Sequence, residues 1–306
     1  MINLGNIKIS DIRLGASQVK AVYFGSQQVW GGEEPGTIDD WLCFTAEEAN
    51  SSLHLDKVGT PNAISLETST DGNTWKDYTW AENTGSKYTN LNVGDKVYFR
   101  AKTENQTIGS SDSDCYRFVM TGKIAASGNI QTLLKADGSR TDAPAYCYYA
   151  IFNGCRSLTT APVILPATTL ANDCYRAMFQ GCKSLTSAQA ILPATTLAIG
   201  CYRNMFSGCT SLTQAPALPA TTLAEYCYTN MLQNCTSLTQ APELPATTLA
   251  TYCYNAMFLS CTSLTQAPAL PATTLAEHCY KYMFRYCSSL TTAPELPATT
   301  LTDYCY

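Results

Sequence analysis

From Cys147 onward the apolar residues return at a fixed interval: Leu223, Cys227, Met231 and Cys235 lie four apart, and Leu249, Cys253, Met257 and Cys261 repeat the series. An i, i+4, i+8 series places side chains on one face of a helix, and Tyr228 with Leu232 widens the stripe. The pattern predicts a helix of two to three turns in each copy, ending near the second Cys, with a Thr pair such as Thr221-Thr222 placed to cap it. After it come Leu238 and Leu244, which are read as inward-facing, but Pro242 and Pro245 confine any strand to about Ser237–Ala241. Such strands stacked in parallel predict a concave sheet backed by a convex row of helices.

The opening Cys-Tyr pair of this phrase falls at Cys147, Cys174, Cys201, Cys227, Cys253, Cys279 and Cys305, a period of 27 residues twice and then 26 four times. A fixed period of that size predicts a solenoid, here six repeats over 147–306 plus the start of a seventh. The inward-facing ladder is read as Cys174, Cys182, Cys201, Cys209, Cys227, Cys235, Cys253, Cys261, Cys279 and Cys287, interleaved with Met205, Met231, Met257 and Met283. The array reaches Tyr306 one turn into the seventh copy without a polar cap, so further chain or another subunit is expected to cover that layer.

Ahead of the repeats the pattern changes to a period of two. Ile2-Asn-Leu4-Gly5, Ile12-Arg-Leu14-Gly15 and Val22-Tyr-Phe24-Gly25, followed by Ile7, Val19 and Val29, read as three hairpin-like strand pairs within residues 1–30. A segment this short holds no core of its own. It is expected either to attach to other copies or a larger assembly, or to pack as a meander on the next domain. Residues 31–36 are a linker by composition. Residues 37–127 read as a β-sandwich: Ala63–Glu67 alternates, Asp71-Gly-Asn73 makes a turn, and Lys96–Ala101 is a strand. Ser69–Trp75 is one residue short of the Asp-box of sialidase-like propellers, so Asp71 is read as a turn residue and Trp75 as core, and Ser110–Asp114 as a solvated turn and not a calcium loop. Residues 128–146 are a connector that caps the first repeat.

Composition narrows the function. The net charge is −5, yet residues 147–306 carry six basic and six acidic side chains, a neutral surface unsuited to nucleic acid. No signal-peptide pattern and no membrane-length apolar run is read, which implies synthesis and folding in a cytoplasm. All thirteen repeat cysteines are then expected to be reduced packing residues. Zinc is the alternative, but Cys-x7-Cys spacing lacks Cys-x2-Cys or paired His, and no metal or cofactor is assigned. Of the two histidines, His278 occupies the slot of Tyr226, Tyr252 and Tyr304 and reads as a surface variation. No phosphate loop or nucleophilic triad is present, and Glu225, Glu243, Glu277 and Glu295 fall at repeat surface positions, so no enzyme is expected.

The binding reading rests on positions that vary between copies: Tyr149, Arg176, Arg203, Thr229, Asn255 and Lys281 after the Cys-Tyr pair, Arg285-Tyr286 before the second Cys, and the Tyr226, Tyr252, His278 slot. Such a face suits a glycan or a surface protein. The alternative is that the uniform Thr213-Gln214, Thr239-Gln240 and Thr265-Gln266 pairs form hydrogen-bonded ladders while the variable set merely tolerates change.

The phrase Ser-Leu-Thr-x-Ala-Pro-x-Leu-Pro-x-Thr-x-Leu followed by Cys-Tyr-x-x-Met-Phe-x-x-Cys resembles the BspA-like class of bacterial leucine-rich repeats, over about half the chain. Asn92–Arg100 and Phe118–Ala125 resemble segments accompanying such repeats in gut Bacteroidetes and their phages, and Leu14-Gly15-x-x-x-Val19 is similar to the N-termini of phage tail and fibre proteins. The resemblance implies a β-rich α/β chain: an N-terminal β segment, a β-sandwich domain, and a C-terminal leucine-rich-repeat solenoid of short parallel strands plus short helices. It implies a virion structural protein assembled in the host cytoplasm, a tail or capsid appendage. Its N-terminal segment would meet other virion proteins and its repeats a host surface glycan or protein, as a homo-oligomer with a trimer the form suggested by fibres. The second reading is a bacterial cell-surface adhesin, which needs an export signal.

Overall fold

The computed structural model describes residues 41–80, 87–162, 165–188 and 191–306, together with six short strands between residues 3 and 31. It divides into two units, residues 1–37 and 38–306. In the first, β1 (Asn3–Leu4) pairs with β2 (Ile7–Lys8), β3 (Arg13–Leu14) with β4 (Ser17–Gln18), and β5 (Ala21–Phe24) with β6 (Gln27–Gly31), all antiparallel. The linker over 32–36, and Ile2, Gly5, Ile12, Gly15, Val19 and Gly25 of the hairpin pattern, lie outside the described residues.

In the second unit, β7 (Leu42–Ala46), β8 (Ser51–Val58), β9 (Leu66–Ser69), β10 (Lys76–Asp77), β11 (Tyr88–Leu91), β12 (Lys96–Ala101), β13 (Cys115–Thr121) and β14 (Ile124–Ser127) precede the repeats. β15 (Asp142–Ala143), β16 (Leu158–Thr160) and β17 (Thr169–Leu170) follow. One sheet has the order β10-β9-β12-β7-β14-β16 and a second β11-β8-β13. The first sheet is mixed, because β14 runs antiparallel to β7 but parallel to β16. It therefore continues into the first repeat. Phe44, Phe99 and Phe118 fill the core between the sheets, with ring centroids 4.7–5.7 Å apart. Asp71 closes its turn by accepting the amides of Asn73 and Thr74 at 2.8 and 2.7 Å. Trp75 is not core: it is half-buried, with the Arg100 guanidinium 3.7 Å from its ring.

The repeats depart from the expected class. Among the described residues there is no α-helix, and the one helical segment is the 3-10 turn Ile130–Leu133. The expected β-rich α/β fold with a leucine-rich-repeat solenoid of short strands and short helices is replaced by a nearly all-β fold with mixed sheets. The segment read as a helix is a ribbon of tight turns in which every fourth residue is left-handed: Asp173, Ala177 and Gly181, then Gly200, Asn204 and Gly208, then Tyr226, Asn230 and Asn234. Amides alternate in their partners. Arg176, Met178 and Gln180 donate three residues back within the copy, to Asp173, Tyr175 and Ala177, whereas Tyr175, Ala177 and Phe179 donate to Cys201, Arg203 and Met205 of the next copy at 2.8–3.0 Å. From Cys174 to Cys182 every amide is thus paired without the i→i−4 bonds of a helix.

The parallel strand near Ser237–Ala241 is also reduced, to single bridges joining Gln214, Gln240 and Gln266. Pro216, Pro242 and Pro268 follow two residues later and lack the amide that a longer ladder requires. Among the described residues no concave sheet of stacked strands forms. The Thr pairs build corners in place of caps: the Thr195 carbonyl accepts both the Thr221 and Thr222 amides at 3.2 Å.

A left-handed residue other than glycine costs about 1–2 kcal/mol, and the amide bonds between copies, at about 1 kcal/mol each, offset it. Ser260 sits at φ 61° where the first three copies have Gly154, Gly181 and Gly208. Ser260→Gly is expected to raise stability by about 1 kcal/mol, read as a higher guanidinium midpoint. A lowered midpoint would mean that the Ser260 turn is not strained.

Candidate functional site

The turn ribbon gives each copy an inner and an outer row. Inside, Tyr148, Tyr175, Tyr202, Tyr228, Tyr254 and Tyr280 stack in one column that ends on the exposed Tyr306, with centroids 5.4–5.9 Å apart. All fifteen cysteines are buried and free, thirteen of them in the repeats. The second Cys of each copy has its own partner: the thiols of Cys155, Cys182, Cys209 and Cys235 donate to the carbonyls of Phe118, Phe152, Phe179 and Phe206 at 3.0–3.2 Å. Burial pushes the Cys147, Cys155, Cys209 and Cys261 thiols up to about 12, so they stay protonated and unreactive at neutral pH. Met205, Met231, Met257 and Met283 are buried in the same core. Among the described residues no cluster of three His, Cys, Asp or Glu could hold a metal. No helix among them is long and apolar enough to cross a membrane.

The outer row carries the residues singled out for binding, and their environments divide them. Thr229 is buried, its hydroxyl donating to the Tyr252 carbonyl at 2.6 Å. Asn255 is half-buried and donates to the Lys281 carbonyl at 3.2 Å. Arg176 lies 3.7 Å from Asp173 and over the Tyr149 ring at 5.5 Å. Arg203 lies over Tyr226 at 5.5 Å. His278, expected as a surface variation, is instead 7% exposed. It is stacked between Tyr252 at 4.3 Å and Tyr304 at 4.9 Å, with Nε2 3.1 Å from Glu277. Tyr226 joins this second column at 4.9 Å from Tyr252. Because the rings cover one another's faces, the middle of the outer row presents ring edges, not stacking platforms.

Spacing brings Lys281, Arg285 and Tyr286 together in the sixth copy. Lys281 Nζ lies 5.2 Å from the Tyr282 ring and 4.8 Å from the Tyr304 ring. Arg285 lies 5.1 Å from the Tyr282 ring and 4.7 Å from the Tyr286 ring, and its Nη2 donates to the Tyr286 hydroxyl at 2.7 Å. Tyr282, the second member of the variable pair that Lys281 opens, is 50% exposed and Tyr286 63%. The signal was in the copies: Tyr282 replaces Ala150, Ala177, Asn204, Asn230 and Ala256.

The uniform Thr row contributes rungs between copies, Thr213 donating to the Thr186 carbonyl at 3.4 Å and Thr265 to Thr239 at 3.3 Å. A cleft of about 430 Å³ lies away from the array, between residues 62–65 and 103–107. The Asn105 side chain at its wall is spent on Ser65 and on the Leu133 carbonyl, which makes it a clip between loops. No family model matches the chain, and no curated protein or solved structure is similar to it.

Proposed function

We propose that this chain is a non-enzymatic structural protein of a phage virion, a tail or capsid appendage whose repeat array binds the host cell surface and whose N-terminal hairpins join it to the particle. The observation carrying this reading is the layer-to-layer bonding of the array. Each copy is tied to the next by amide bonds, such as Tyr202 to Cys227, Asn204 to Thr229 and Phe206 to Met231 at 2.9–3.0 Å, and by the continuous tyrosine column. An array built this way is stiff, and stiffness suits a part that must project a surface toward a partner. Its outer positions change from copy to copy while its inner ones repeat, a division that suits recognition and not turnover. The sequence-level resemblance to repeats of gut Bacteroidetes and their phages supports the virion setting.

Gold-labelled antibody against the repeats, applied to purified particles, is expected to decorate the tail or the capsid surface in electron micrographs. Label confined to bacterial envelopes would overturn the virion reading in favour of a cell-surface adhesin.

A further inference from the structure

We infer that the interior of the repeat array binds a file of ordered water, one molecule between each pair of neighbouring tyrosine hydroxyls in the column from Tyr148 to Tyr280. This goes beyond the proposed binding role and does not depend on it.

The first argument compares two columns that the same turns build side by side. At one position every copy has tyrosine: Tyr148, Tyr175, Tyr202, Tyr228, Tyr254 and Tyr280, none more than 4% exposed. At the other the copies have Phe152, Phe179, Phe206, Leu232, Phe258 and Phe284, with no hydroxyl. A buried hydroxyl without a partner costs free energy that phenylalanine avoids. Rings without a hydroxyl therefore pack well in this array, and six copies that keep one at the first position give it a task.

The second argument is what the hydroxyls meet. At the head of the column Tyr148 donates to Gln131 Oε1 at 2.7 Å, and Gln131 is fully buried, with its Nε2 donating to the Asp142 carbonyl at 2.9 Å. The fold commits a buried amide to the first phenol. Deeper in the array the Tyr175 and Tyr254 hydroxyls are buried and meet no hydrogen-bond partner among the described residues. Nor can the phenols bond one another. Successive rings lie 5.4–5.8 Å apart and within 12° of parallel, whereas a direct O–H···O bond closes at about 2.8 Å.

The third argument is reach. Rings held nearly parallel at one spacing set their hydroxyls at about that spacing. Two O–H···O bonds of up to about 3.0 Å together reach about 6 Å, so one water spans each gap. It accepts from one phenol and donates to the next, and the bonds run from copy to copy along the array. Water fits because it is neutral and both donates and accepts, the usual role of a buried water beside polar groups. An ion would need a buried countercharge, and no cluster of three His, Cys, Asp or Glu lies among the described residues to hold a metal.

The test is Tyr202→Phe in the full chain, with Tyr228→Phe as a second site. Each removes one hydroxyl and keeps the ring. The folding equilibrium constant, measured by guanidinium unfolding, is expected to fall at least fivefold, because the waters on either side lose a partner. A dry column predicts the reverse, since the same change would then delete an unpaired buried group, so an unchanged or raised stability would overturn the file. A second measurement is independent of stability. A high-resolution crystal structure of the unaltered chain is expected to show one density peak within hydrogen-bond distance of both hydroxyls between Tyr175 and Tyr202, and another between Tyr228 and Tyr254. Hydroxyls turned onto protein carbonyls, or gaps without such peaks, would equally overturn it.

Discussion

Raising the pH from 8 to 11 is expected to unfold the repeat array cooperatively, with thiolate absorbance near 240 nm appearing together with the loss of far-ultraviolet dichroism. The cause is the cysteine ladder. The thiols of Cys147, Cys155, Cys209 and Cys261 are held at about 12 by burial, against 9.0 for an ordinary thiol. A thiol is neutral when protonated, so a raised value in the folded chain means that the folded state binds the proton more tightly. The stability it contributes is whole below pH 9 and is lost as pH rises from 9 toward 12, where the unfolded chain ionises first. Each group lowers stability by about 1.4 kcal/mol per pH unit in that window. Four together remove roughly 5 kcal/mol per unit, against a total of about 5–15 kcal/mol for a domain. The remaining repeat cysteines whose values are also raised, and Tyr148, Tyr175, Tyr202 and Tyr228, pushed well above 10.0 by burial, act in the same direction. Thiolates titrating near pH 9 while the dichroism stays native would show that the ladder is open to water.

The same cysteines show how far spacing alone could be read. The interval of four between Leu223, Cys227, Met231 and Cys235 is plain in the sequence, but two backbones share it. An α-helix turns 3.6 residues at a time, so four residues four apart drift across its face by about 120°, close to the width of an ordinary apolar stripe, which does not betray the mismatch over one short copy. A four-residue turn with a left-handed corner returns each side chain to the same face without drift. The discriminating residues were Gly181, Asn204, Gly208, Asn230 and Asn234, types that tolerate the left-handed region, spaced by four or by whole copies. Tyr226, Tyr252 and His278 hid that signal, because large side chains rarely take the conformation they have here.

On the surface, the sequence showed which positions vary but not which way their neighbours would turn. Thr229 and His278 vary and are buried, since the next copy's carbonyl and the flanking rings cover them. Tyr282 falls in the variable pair Lys281-Tyr282 after the Cys-Tyr, at a position off the buried stripe on either backbone. In the turn ribbon the same residue is the left-handed corner, where Ala150, Ala177 and Ala256 are buried and Tyr282 is 50% exposed.

Phe179→Ala is expected to cost about 3–5 kcal/mol, enough to leave much of the chain unfolded at room temperature if its stability lies in the usual range. Phe179 is fully buried, with Phe152 stacked 5.2 Å away on one face and Phe206 5.4 Å away on the other. The column begins at Phe118 in β13, whose ring lies 5.2 Å from Phe152, so it joins the sheets to the repeats. Truncation leaves the Phe179 carbonyl in place to accept the Cys209 thiol, and the loss therefore reports the ring. Copy four supplies the control. Leu232 occupies the corresponding position, fully buried, where the ring column is interrupted between Phe206 and Phe258. Phe179→Leu keeps most of the apolar burial and gives up two ring pairs, each worth about 0.5–1.5 kcal/mol, so it is expected to cost about 1–3 kcal/mol. Guanidinium unfolding at pH 7 measures both. If Ala and Leu cost the same, ring stacking and not burial would be what holds the copies together. If Ala costs less than about 1 kcal/mol, below the range for a buried ring, the layers would have to close over the gap, and the stiffness on which the binding role depends would be lost as an argument.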